Sequence, residues 1–308
     1  MTQDEQICSL ALTRIPGLGL TGAFRLVSSL GSATRVFEHR KELSHLVPGG
    51  SEKIITALNN SEAFRRAEQE LTFCEKNHIR CLTLNDEGYP GRLRECDDAP
   101  LALFYRGNAD LNALHVINMV GTRHATPYGQ DICTRFLADL SALCPNALIV
   151  SGLAYGIDIH AHRAALQNHF KTIGVLAHGL DRIYPAEHRK TAVSMLEQGG
   201  LLTEFTSGTN PDRQNFVKRN RIVAGMSDAT VVIESAAKGG ALITAELAES
   251  YHRDCFAFPG RCNDEYSIGC NNLIRKNQAV LITSAEDLVK AMGWESSSKT
   301  EKTVQREL

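Results

Sequence analysis

From Ile79 onward, short apolar runs alternate with helix-sized amphipathic stretches, and this alternation limits the chain to a small set of folds. The runs Cys81–Leu84, Leu103–Tyr105, Val116–Val120, Leu148–Val150, Thr172–Leu176, Leu201–Thr203, Thr230–Ile233 and Cys255–Phe258 read as strands. Between the later ones, Tyr128–Leu143, Ile157–Gln167, Ala186–Glu197, Leu242–Tyr251 and Leu273–Asn277 read as helices. Strands that are apolar at nearly every position have no solvent face. They belong in a parallel sheet covered on both sides, with each helix returning the chain to the same edge. The expected class is α/β, with a mainly parallel sheet and helices on both faces.

Upstream the pattern is different. Residues 1–70 read as a small all-helical domain, in which Ile15-Pro16-Gly17-Leu18-Gly19 separates two apolar helical stretches. Val47-Pro48-Gly49-Gly50 repeats the arrangement. An apolar residue, a tight Gly turn and a helix occur in helix-hairpin-helix modules, where backbone N–H groups can face a phosphate. The same turn also joins packed helices for structural reasons alone. The sheet domain is expected over 71–294, followed by a polar tail at 295–308 that reads as a linker or disordered segment.

Composition narrows the function. No apolar run is long enough to span a bilayer, and the acidic start MTQDEQ lacks the basic residues of a secretory signal, so a cytoplasmic location is expected. The nine cysteines include no C-x-x-C pair, and Cys255, Cys262 and Cys270 lack zinc-site spacing, so free thiols are expected. Formal net charge is −2, so any nucleic-acid site must gather its positive charge locally.

Ligands of an open parallel sheet sit beyond the carboxyl ends of its strands. Glycines and polar residues gather at those places. After Val120 comes Gly121-Thr122-Arg123, in which Gly121 permits close approach and Arg123 offers a planar fork for phosphate oxygens. Thr126-Pro127 reads as an N-cap with Pro at the first helical position. Ser151-Gly152-Leu153-Ala154-Tyr155-Gly156 precedes a helix as a phosphate cradle would, but neither G-x-G-x-x-G nor a P-loop is present. Asp158, His160 and His162 stand two residues apart. That spacing does not place all three on one helical face, so hydrogen bonding is favoured over a metal. In Asn215-Phe216-Val217-Lys218-Arg219-Asn220-Arg221, an aromatic stands beside three cations. The stretch reads either as a single-strand site, where stacking a base on the ring contributes ~1–3 kcal/mol, or as a solvated basic turn with Phe216 in the core. Lys238-Gly239-Gly240 before a helix is a further anion-binding arrangement. No Ser–His–Asp order, acid–base pair or metal cluster is evident, and no cofactor is expected.

Taken in order, these motifs resemble the DNA-processing protein A (DprA/Smf) family. The matching stretches are Gly121-Thr122-Arg123 with Thr126 and Tyr128-Gly129; Ser151 to Asp158 with Ala161-His162; Gly179-Leu180-Asp181-Arg182-Ile183-Tyr184-Pro185; Arg219-Asn220-Arg221-Ile222-Val223-Ala224-Gly225; and Gly240 to Ala245 with Pro259-Gly260. The resemblance spans roughly residues 80 to 290, and the N-terminal helices are similar to the family's small helical domain. It implies an extended Rossmann-like domain that binds single-stranded DNA in a basic pocket, homodimerises, protects incoming DNA and loads the RecA recombinase during natural transformation. Carried over to this sequence, Gly121 and Arg123 would meet a phosphate, with donors from Ser151 and Gly152 beside them. Phe216 would stack on a base. Lys218, Arg219 and Asn220 would contact the strand, and Lys238, Gly239 and Gly240 would close the pocket. Where many members have Phe-Pro before R-N-R, this chain has Phe216-Val217-Lys218, which leaves the path of that segment open. Many members also continue past a linker into a winged-helix domain.

The alternative is an enzyme. Lys238-Gly239-Gly240-Ala241-Leu242-Ile243-Thr244-Ala245-Glu246 partly echoes the P-G-G-x-G-T-x-x-E loop of the lysine-decarboxylase-like nucleotide hydrolases, which cleave base from ribose phosphate. Glu246 would be the acid–base group.

Overall fold

The computed structural model describes residues 2–43 and 52–294. Both Val47-Pro48-Gly49-Gly50 and the tail 295–308 lie outside the described residues. The chain begins with helices α1 (Gln3–Leu12), α2 (Gly19–Leu30), α3 (Ala33–Glu38), α4 (Glu52–Ala57) and α5 (Ser61–Lys76). The turn before α2 needs its glycines, because Gly17 and Gly19 take φ of 79° and 64°, where a Cβ is strained. Helix α5 runs past the boundary expected at residue 70, with Asn60 as its N-cap. Buried residues of these helices share one core with Cys81, Leu82 and Leu103 of the sheet.

Nine strands form one sheet: β1 (Arg80–Thr83), β2 (Ala102–Gly107), β3 (Val116–Val120), β4 (Leu148–Ser151), β5 (Thr172–Val175), β6 (Gly199–Thr203), β7 (Ala229–Val232), β8 (Asp254–Ala257) and β9 (Val280–Leu281). Their spatial order is β1-β2-β6-β5-β4-β3-β7-β8-β9. Strands β1 and β2 run antiparallel, and all pairs from β6 to β9 are parallel. The sheet is thus mainly parallel, with an antiparallel extension beside the N-terminal helices. Strand β9 was not evident in the sequence, since two residues carry no alternation.

The intervening helices are α6 (Gly91–Arg94), α7 (Pro127–Leu143), α8 (Ile157–Gln167), α9 (Arg189–Glu197), α10 (Arg213–Gly225), α11 (Gly240–Ser250), α12 (Ile268–Arg275) and α13 (Ala285–Ala291). Successive strand side chains divide between the two faces. On β3, Val116 and Val120 join the core that also holds Ile222 of α10, Ala241 of α11 and Leu273 of α12. Ile117 and Met119 join the opposite core, with Phe136 of α7, Ala161 of α8 and Leu288 of α13. Helices therefore cover both faces, as the continuous apolar strands require.

The order reverses between β3 and β7. From β3 the chain steps outward to β4, β5 and β6, whereas from β7 it steps the other way to β8 and β9. Loops leaving β3 and β7 diverge there and open a crevice at the carboxyl edge of the sheet.

Candidate nucleic-acid interface

One lip of the crevice is the loop after β3. Arg123 is exposed on it and, among the described residues, forms no salt bridge or side-chain hydrogen bond, although its charge acts on buried Asp158. Its guanidinium lies 4.8 Å from the centre of the Phe216 ring. Gly121 is a glycine for an internal reason: a Cβ there would meet Ile157 at 2.3 Å.

Phe216 comes from α10. The segment 215–222 is thus neither a turn nor a loop but part of a helix that begins at Arg213. Helical spacing separates its cations. Lys218 is exposed, whereas Arg219 and Arg221 are buried. Arg219 donates to the main-chain oxygens of Gly152 and Val175 and lies 5.9 Å from the Phe216 ring centre. Burial pushes its guanidinium down to about 10, opposed by nearby Asp158, so it stays charged at neutral pH. Arg221 pairs with buried Glu204 and donates to the Asp98 carbonyl. Asn220 donates to the Gly240 carbonyl at 3.3 Å and so ties α10 to the start of α11.

The cradle after β4 differs from expectation. Ser151 is fully buried, and its hydroxyl donates to the Met119 carbonyl at 2.7 Å. Gly152 is packed against Arg219, whose guanidinium would stand 2.1 Å from an added Cβ. Ser151 and Arg219 therefore brace the crevice from below, and their side chains do not line its surface. His188 adds a contact to the Leu153 carbonyl at 2.9 Å, and the Ala154 amide donates to buried Asp158 at 3.3 Å. Asp158 and His162 both turn inward from α8, with His162 2.7 Å from Thr172 Oγ1. Burial, reinforced by Arg219 and His188, pushes the His162 imidazole down to about 3, so it is neutral. Among the described residues, no three metal-ligating side chains come together.

The other lip is the loop after β7. Lys238, Gly239 and Gly240 are all exposed, and Lys238 has no acidic partner among the described residues. A Cβ at Gly239 or Gly240 would meet nothing of the chain closer than 3.6 Å or 3.8 Å. These two glycines keep open a space that the chain itself does not fill. Tyr184 stands at the rim, 44% exposed, with its ring edge toward Phe216 at 6.1 Å between centres. Glu246, the acid–base group of the enzyme alternative, is exposed on α11.

The structure thus brings together Arg123, Phe216, Asn220, Lys238, Gly239 and Gly240 around one crevice, whereas Lys218 leaves α10 about 200° around the helix from Phe216, near Glu204. It withdraws Ser151 and Arg219 beneath it. Glu234, which accepts hydrogen bonds from Thr122 and Thr126 of the loop after β3, was not singled out from the sequence. Its only signal was an acidic residue directly after a buried strand.

The sequence pattern of the DNA recombination-mediator protein A family matches residues 80–293. The chain belongs to that family. It is 35% identical to the protein Smf of Synechocystis over 303 residues, which is 95% of this chain and 74% of that one. The structure is similar to DNA processing protein A (DprA) of Streptococcus pneumoniae, with a TM-score of 0.73 and 30% identity, covering 94% of this chain and 98% of the other. It is also similar to DNA processing protein A of Helicobacter pylori, whose structure was described for its single-stranded DNA binding mode. There the TM-score is 0.62 and the identity 29%, over 70% of this chain and 95% of that one. Among the described residues, no helix is long and apolar enough to cross a membrane.

Proposed function

We propose that the crevice binds single-stranded DNA with little sequence preference and without covalent chemistry. The observation that carries this reading is the Arg123 guanidinium over the Phe216 ring. A planar cation that forms no salt bridge among the described residues lies where a planar base can stack, and exposed Lys238 stands on the opposite lip. Phosphates draw on the cations, and a base stacks on Phe216 when Arg123 turns to the backbone. Gly239 and Gly240 admit the strand to the start of α11, where main-chain N–H groups point outward and Gly239 offers no side-chain cap.

The single-strand binding described for the Helicobacter pylori relative supports this reading. Family membership extends it: the bound strand is protected and passed to RecA, and the chain works as a homodimer in the cytoplasm. Light scattering tests the dimer, and the rate of RecA assembly on a single strand, with and without the protein, tests the transfer.

The direct test of the crevice is Arg123→Ala in a salt titration with oligo-dT. Affinity should fall about tenfold, and the magnitude of the slope of log K against log salt should fall by about 1. Wild-type affinity and slope in the variant would remove Arg123 from the interface.

A further inference from the structure

We propose that Glu234 is a positioning residue: it fixes the Arg123 loop from both ends and so sets phosphate affinity without touching DNA. The inference rests on the reading of Arg123 as a phosphate contact. Glu234 follows β7 after the single residue Ile233, on the far side of the crevice from Arg123 in chain order, and is 2% exposed. Its main-chain oxygen accepts from the Thr122 amide at 2.7 Å. Its carboxylate accepts from the Thr126 amide at 2.9 Å through Oε2 and from the Thr126 hydroxyl at 2.5 Å through Oε1. One residue therefore holds the loop immediately before Arg123 and again three residues after it.

The anchor is itself fixed. The Ile233 amide donates to Val120 at 3.0 Å and continues the β3–β7 pairing. The Ser235 amide donates to Tyr266 at 2.6 Å, and the Gly269 amide to Ser235 at 2.8 Å. Helix α7 makes room for the carboxylate at Gly129, where a Cβ would stand 2.2 Å from Oε2. Thr126 relays the grip into that helix, because its hydroxyl donates to Glu234 and accepts from the Gly129 amide at 3.4 Å.

A buried negative charge beside a phosphate site opposes anion binding by simple Coulomb repulsion. Here both carboxylate oxygens are engaged by Thr126. The charge is thus spent on the loop, and between its two anchors stand Arg123 and exposed His124, of which Arg123 is the permanent cation. Because Glu234 also begins the segment that leads to Lys238, the same residue sets the spacing of the two lips.

Glu234→Gln keeps the shape and removes the charge, and Thr126→Val removes the hydroxyl from the other side. Oligo-dT affinity should fall about tenfold in either variant, the loss expected from one charge-assisted contact. The magnitude of the salt slope should fall by about 1, as in Arg123→Ala, which loss of packing alone would not produce. Combining Glu234→Gln with Arg123→Ala should weaken binding no further than Arg123→Ala alone. Full additivity, or wild-type affinity and slope in Glu234→Gln while Arg123→Ala binds poorly, overturns this inference and leaves the phosphate reading standing. Wild-type binding by Arg123→Ala overturns both. Thermal melts identify a Glu234→Gln chain that does not fold, in which case Thr126→Val decides by the same criteria.

Discussion

At the start of α3 the chain supplies its own anion. Buried Glu5 accepts from the Ala33 amide at 2.7 Å, the Thr34 amide at 2.9 Å and the Thr34 hydroxyl at 2.6 Å. At the start of α11 there is no acidic residue in the first turn and no side-chain cap, and exposed Lys238 stands just ahead. The helical region thus satisfies its helix start from within, whereas the sheet edge leaves cations and amide groups open. A carboxylate in the first case does what a phosphate is proposed to do in the second. The same chemistry serves folding where it is closed and binding where it is open.

Breaking the closed case should affect stability alone. Glu5→Ala leaves buried donors at α3 without an acceptor and should cost about 3 kcal/mol in denaturant unfolding. Oligo-dT affinity, measured where the chain is still folded, should not change. A loss of affinity as large as that in Arg123→Ala would tie the helical region to the strand.

The polar groups beneath the crevice should behave like the closed case. Folded His162 titrates near 3, against a usual value of 6.5. Between those values the unfolded chain takes up a proton that the folded chain refuses, so stability falls as pH drops through 6.5 toward 3. The expected slope is on the order of 1 kcal/mol per pH unit from this group. Urea unfolding across that range should show the slope, and His162→Gln should reduce it. An identical pH dependence in the variant would mean that His162 is not held neutral by burial.

The open case has the smallest expected effect on the fold. Gly240→Ala adds a methyl that meets nothing nearer than 3.8 Å. Stability should stay within about 0.5 kcal/mol of the parent chain. Affinity for oligo-dT should fall a few-fold, because the space belongs to the ligand. A stability loss with unchanged affinity would show that the glycine serves the fold.

Much of the architecture was legible in the sequence, because eight of the strands are buried at most positions on both faces and are largely apolar. Helix α10 was not. Its inner side is formed partly by Arg219 and Arg221, which bury their charges on carbonyls and on Glu204, so the apolar periodicity that reveals a helix is missing. The same substitution of charge for hydrocarbon made three cations look available to a ligand where Lys218 alone is exposed. The glycine loops were legible as loops, but a sequence does not show what faces a glycine. Gly152 accommodates Arg219, whereas Gly239 and Gly240 face open space. Glu234 stayed hidden because its partners Thr122 and Thr126 lie more than a hundred residues earlier and meet it only through the β3–β7 pairing.

An open, cation-lined crevice with an accessible ring should take a single strand in preference to a duplex. Binding of single- and double-stranded oligonucleotides of equal length, measured at several salt concentrations, tests it most directly. The single strand should bind more tightly at every salt concentration, with a preference that persists as salt weakens both, because stacking on Phe216 is not screened. Equal affinity for the two forms, or a preference for duplex, would contradict it.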